Sequence, residues 1–142
     1  MHRLTLVQAN SLISAVQADA LQRGLKPLSA AVLDPGANLV AFQRQDGAPQ
    51  LGPKLATGKA AGALALGVTS RRLGEMAVER PHFIAAASGL GEGGMIPAAG
   101  GIIVCDTEGT VLGALGVSGD TSDNDEACAL AAIAAAGFVA KA

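Results

Sequence analysis

Leu28-Ser29-Ala30-Ala31-Val32-Leu33 and Asn38-Leu39-Val40-Ala41-Phe42-Gln43 are two short apolar runs joined by Asp34-Pro35-Gly36-Ala37. Proline presets the backbone angle a reversal needs, and the glycine after it removes the steric cost of turning tightly. The stretch therefore predicts a β-hairpin. Residues 101–105 and 110–117 repeat the plan around Asp106-Thr107-Glu108-Gly109. Two hairpins generate antiparallel neighbours, whereas a parallel sheet needs a helical crossover between strands.

Helical signals flank the hairpins. Thr5 with Gln8 three residues later is a capping box, and Ala9, Leu12, Ile13, Val16 and Ala20 follow at the spacing of one helix face. Gly24 is the stop, so a helix is predicted over 5–23. Pro53 suits a first helical turn, and residues 54–66 form an Ala-rich helix carrying Gly58 and Gly62 on one face. That face admits the close approach of the sheet or of a partner subunit. A further helix is predicted over 70–78, broken at Pro81. Residues 88–101 are glycine-dense without periodicity, which reads as a functional loop with room for an extra strand. Ser122-Asp123-Asn124-Asp125 opens a last helix, expected to run to about Ala140. The order is α-ββ-α-α-loop-ββ-α: an α/β chain of the α+β kind, one domain over 1–142, with a mainly antiparallel sheet covered by helices.

Composition narrows the function. Half the residues are apolar but only three are aromatic, all Phe, so the core must be built from Ala, Val, Leu and Ile. The formal net charge is −2 and the ten Lys and Arg are scattered, which excludes a nucleic-acid footprint. Cys105 and Cys128 alone make no metal site and match no zinc spacing. No secretory segment or bilayer-length apolar run is visible, and a cytoplasmic protein with reduced thiols is expected.

Several blocks together resemble the GlcG/HbpS-like family. They are Val32-Leu33-Asp34-Pro35-Gly36 with Leu39-Val40-Ala41, then Arg44-Gln45-Asp46-Gly47-Ala48 with Lys59-Ala60, then Gly100-Gly101. Gly113-Ala114-Leu115-Gly116-Val117-Ser118-Gly119 and Asp125-Glu126-Ala127-Cys128-Ala129 complete the series, in the family's order over nearly the whole chain. One departure is that Ile102-Ile103-Val104 follows the paired glycines where the family commonly has a proline. The resemblance implies about five antiparallel strands flanked by helices in a profilin- or PAS-like layout. It also implies homo-oligomers from dimers to octamers and, in some members, haem binding.

The residues offer a limited set of chemical groups. His82, beside the glycine loop, could ligate haem iron or transfer a proton near neutral pH. Lys59 could hold a carboxylate or propionate, Glu92 could act as a carboxylate on a moving loop, and Met95 is a soft iron ligand. Asp123, Asp125 and Glu126 either complement the last helix's dipole or form a carboxylate site. The ligand-binding set is then Lys59, His82, Met95, Gly100, Gly101 and Asp125, with His82 and Glu92 as the catalytic candidates. Gly116-Val117-Ser118-Gly119 lacks the spacing of a nucleophile elbow. Three readings stay open. One is a binding protein for haem or another small ligand. Another is a cofactor-independent tautomerase, lyase or hydrolase acting on a small carboxylated metabolite. The last is a structural oligomer.

Overall fold

Each hairpin forms where its turn chemistry placed it. In the computed structural model, which describes residues 2–142, the elements are α1 (Leu6–Arg23), β1 (Ser29–Leu33), β2 (Leu39–Arg44), α2 (Gly52–Leu66) and α3 (Ser70–Glu79). They continue with α4 (Pro81–Ala87), β3 (Gly101–Cys105), β4 (Val111–Ser118), α5 (Ser122–Ala135) and β5 (Val139–Ala140). In the first turn, Asp34 Oδ1 accepts from the amides of Gly36 at 3.0 Å and Asn38 at 2.9 Å. The capping box is present: Thr5 Oγ1 accepts from Gln8 N, and Gln8 Oε1 accepts from Thr5 N.

The strands make one antiparallel sheet in the order β2-β1-β4-β3-β5. Pairing β1 with β4 fuses the two hairpins, which buries β1, β3 and nearly all of β4 on both faces. Side chains alternate accordingly. Ala30, Val32, Ile102, Val104, Leu115 and Val117 meet α1 and α5 in the main core. Leu33, Ala114 and Ile103 point the other way, toward Ala60, Ala61 and Ala63 of α2. The result is three layers, with α1 and α5 on one side and α2 on the other, α3 and α4 packing beyond it.

The α2 side is unusually tight. A side chain at Gly101 would strike the Lys59 carbonyl, and one at Gly116 would strike the Ala56 carbonyl. Glycine at these two strand positions lets the helix backbone rest on the sheet, and this sets the depth of everything α2 carries.

Three expectations need correction. The fifth strand is not in the glycine loop: among the described residues none of 88–100 is a strand, and β5 lies at the end of the chain. The last helix stops at Ala135 rather than near Ala140, because Gly137 turns with φ +85° and releases Val139–Ala140 to pair with β3. Pro81 does not merely break α3; it occupies the first turn of α4, where its missing N–H costs nothing.

Candidate functional site

The inner face of α2 carries Lys59, only 3 % exposed. Its Nζ donates to Asp125 Oδ2 at 3.2 Å and to the Val117 carbonyl at 3.0 Å. Asp125, 1 % exposed, uses its other oxygen to accept from Asp120 N at 2.9 Å. Buried charges persist only when paired and hydrogen-bonded, and both of these are. Gly100 makes room for the ammonium: its φ is +132°, and a Cβ there would sit 3.0 Å from Lys59 Nζ and 2.5 Å from the Val117 carbonyl. Next to it, Gly101 N donates to the buried Ser70 Oγ at 2.7 Å, tying β3 to α3.

Four of the sequence candidates (Lys59, Gly100, Gly101 and Asp125) therefore come together. They form a buried pin between α2, the sheet and α5, with the lysine's charge committed within it. The acids opening α5 divide by helix face. Asp125 turns inward, while Asp123 and Glu126 turn out to Arg71 of α3, at 2.5 Å and 2.9 Å. Donating to Asp123, and secondly to Glu126, raises the Arg71 guanidinium above its ordinary pKa. Thr121 caps this helix by accepting from Asn124 N.

The outer face of α2 differs. Gly58 and Gly62 do admit a close backbone approach, but what approaches is the glycine loop rather than the sheet. Ile96 N donates to the Gly58 carbonyl at 3.1 Å. A Cβ at Gly58 would sit 2.5 Å from Ile96 Cγ1, and one at Gly62 would sit 2.8 Å from Leu73 and 3.0 Å from Met95. Met95, 7 % exposed, is consumed in packing with Leu73, Met76 and Ile84.

Where the loop lies on the helix it leaves a cleft of about 460 Å³ lined by Pro53, Lys54, Thr57, Gly58, Gly93, Gly94 and Ile96. Its walls are almost wholly apolar, and among the residues lining it Lys54 and Thr57 alone carry polar side-chain groups. A depression of similar volume near the N-terminus is walled by Arg3, Thr5 and Asp34 and lacks that character. Sequence reasoning missed the cleft residues. Two signals border it in the sequence, the small-residue face of α2 and the glycine-dense loop at 88–101.

His82 and Glu92 do not join either face of α2 as a pair. His82 is exposed in the first turn of α4, a helix that packs on α3. Glu92 is exposed in the loop, on the wall of a second cleft of about 310 Å³ with Pro35, Gly36, Ala37, Ala61, Leu64, Ala65 and Gly91. Among the described residues, no three His, Cys, Asp or Glu side chains group as a metal site. Cys105 and Cys128 are free and buried; burial pushes the Cys128 thiol up to about 12. Among the described residues no helix is long and apolar enough to cross a membrane.

Comparison with known proteins gives a consistent answer. The sequence model of the family described as "Haem degrading protein HbpS-like" matches residues 4–134. A double mutant of HbpS from Streptomyces reticuli is 27 % identical, with TM-score 0.82 over 95 % of this chain and 88 % of that one. Protein ORFY of Klebsiella pneumoniae is 25 % identical, with TM-score 0.83 over 96 % and 92 %. The structure of a PduOC:heme complex superposes with TM-score 0.86 over 99 % of both chains at 24 % identity. No curated protein sequence matches.

Proposed function

We propose that this chain, which belongs to the HbpS-like family, binds a flat, largely apolar small molecule bearing a carboxylate, with haem as the leading candidate. The observation that carries the reading is the apolar cleft between α2 and the glycine loop, with one lysine on its wall. Its volume is within the roughly 300–1,000 Å³ usual for small-ligand sites. A porphyrin ring would lie along Pro53, Gly58 and Ile96, and a propionate would reach Lys54. A solved relative in fold was captured with heme, which supports the choice. The fit is to the ring and its carboxylates: no His, Cys or Met side chain lines the cleft, so no protein ligand to iron is assigned. Bound haem supplies redox chemistry at its iron; the chain's own part is to shield the ring from water and hold its charged edge.

The enzyme reading has less support. It needs Lys59 to orient a substrate carboxylate beside His82 or Glu92. Lys59 is buried against Asp125, and the other two are exposed on separate segments. The buried free thiols suit a cytoplasmic protein, and the exposed Val7 and Leu21 of α1 suit contacts in a homo-oligomer.

Hemin titration followed by visible absorption tests the reading. A Soret band saturating at one haem per chain is expected. Thr57→Trp, which fills the cleft, weakens binding by at least about tenfold, equivalent to roughly 1.4 kcal/mol. His82→Ala leaves it unchanged. A band that never saturates, or one indifferent to Thr57→Trp, overturns the assignment.

A further inference from the structure

We infer that residues 91–94 form a strap that lifts off α2 and joins the two clefts beside it into one continuous groove. The inference rests on the ligand site proposed above and concerns how that site opens and how far it extends.

The two clefts lie on either side of one short segment. Gly93 and Gly94 wall the cleft near Pro53 and Thr57, while Gly91 and Glu92 wall the cleft near Ala37 and Leu64. Between them Gly93 lies close over the helix. A Cβ at Gly93 would sit 3.0 Å from Ala61 Cβ and 3.8 Å from Thr57 Cγ2. Nothing outside the neighbouring residues lies within 4 Å of the Cβ positions of Gly91 and Gly94.

The strap is fastened only at its ends. Leu90 N donates to the Ala87 carbonyl at 3.0 Å, and Ile96 N to the Gly58 carbonyl at 3.1 Å. Among the described residues, none from Gly91 to Met95 makes a hydrogen bond to another part of the protein, and Glu92 and Gly93 form a turn within the segment itself. Lifting therefore breaks no hydrogen bond to the rest of the protein, and the buried side chain beneath Gly93 is the small one of Ala61, which marks a segment of low local stability. The anchor after the strap is firm, because Met95 is buried beside Leu73 and Ile84, whereas Leu90 before it is exposed and held by its turn bond alone. Gly93 and Gly94 take φ +80° and +85°, so the closed form is one that side chains rarely adopt.

The groove beneath the raised strap has a floor of small side chains, Thr57, Gly58, Ala61 and Ala65 along α2, with Lys54 at one end. It suits a planar apolar molecule longer than either cleft, its carboxylate directed to Lys54 and its other edge beneath Glu92.

The test places a thiol under the strap. Ala61→Cys puts one directly below Gly93, and N-ethylmaleimide labelling reads its exposure, with the buried Cys105 and Cys128 reporting global unfolding. The introduced thiol is expected to label at least about a hundredfold faster than the native ones, as local opening precedes global unfolding. Gly94→Ala, strained only in the closed form, should raise that rate about fivefold. Labelling no faster than that of the native cysteines, or a rate indifferent to Gly94→Ala, overturns the strap. Should Ala61→Cys not fold, rapid mixing of hemin with the unsubstituted chain decides. An observed rate that levels off with hemin concentration supports opening before binding, and a linear rise unchanged in Gly94→Ala overturns it. If hemin fails to bind while the thiol responds to Gly94→Ala, the ligand assignment falls and the strap stands.

Discussion

The two faces of α2 share fifteen residues and one backbone, yet they are held by opposite means. The inner face is pinned: carbonyls of Ala56 and Lys59 rest on Gly116 and Gly101, and the Lys59 ammonium is locked by Asp125 and Val117. The outer face is packed by Ile96, Leu73 and Met95 at Gly58 and Gly62, but beside them it is covered by residues 91–94, which make no hydrogen bond to the rest of the protein between their anchors. Rigidity on one side and looseness on the other is what a binding helix needs. A floor that does not move gives the ligand a defined surface, and a cover that lifts gives it a way in.

The comparison breaks most readily at glycine. Gly116→Ala places a methyl group against the Ala56 carbonyl, where neither backbone can yield, and a loss of about 4 kcal/mol or more, or failure to fold, is expected. Gly91→Ala meets open space and should change stability by no more than about 0.5 kcal/mol. Urea denaturation of both variants measures the contrast; equal effects would mean that the faces are held alike.

A smaller effect is expected at the ion pair. Asp125→Ala leaves Lys59 in the interior without its counter-charge, held by the Val117 carbonyl alone, at a cost of about 3–5 kcal/mol. Replacing both residues, as Lys59→Met with Asp125→Leu, should recover most of that loss, because two apolar chains carry no desolvation penalty. Thermal denaturation checks both variants, the single one melting on the order of 10 °C lower. Hemin affinity should survive in the double variant, since the pin supports the floor and does not touch the ligand.

Part of this contrast was legible in the sequence. The hairpins, the capping box at Thr5 and the close-approach face of Gly58 and Gly62 are local signals, and the structure follows them. What approaches Gly58 was not legible, because the loop returns to α2 from almost forty residues further along the chain. Lys59 and Asp125 each stand out in the sequence as binding candidates, but nothing local shows that they pair with each other across sixty-six residues. β5 spans two residues, too few to show alternation, and the Ala-rich run before it hid the end of α5. The cleft belongs to no single motif: it is the gap left where a loop without side chains crosses a helix with small ones.

Acid should loosen the two faces unequally, through Asp120. This carboxylate accepts from Asn124 Nδ2 at 2.7 Å, Lys26 N at 2.8 Å and Thr121 N at 2.8 Å, fastening the start of α5 beside Asp125. The Asn124 bond, then the two amides, hold its pKa down from 3.8 to about 2. A depressed carboxylate contributes stability that is present above its unfolded value and lost as the pH falls through the folded one. Its contribution is therefore whole above about pH 4 and fades toward pH 2, on the pinned side of α2 alone. Asp120→Asn should remove part of the pH dependence of unfolding across that window while leaving the strap's maleimide response in the Ala61→Cys background unchanged at neutral pH. A stability profile identical to that of the unsubstituted chain would show that this clamp contributes nothing to holding α5, and that the inner face is fixed without it.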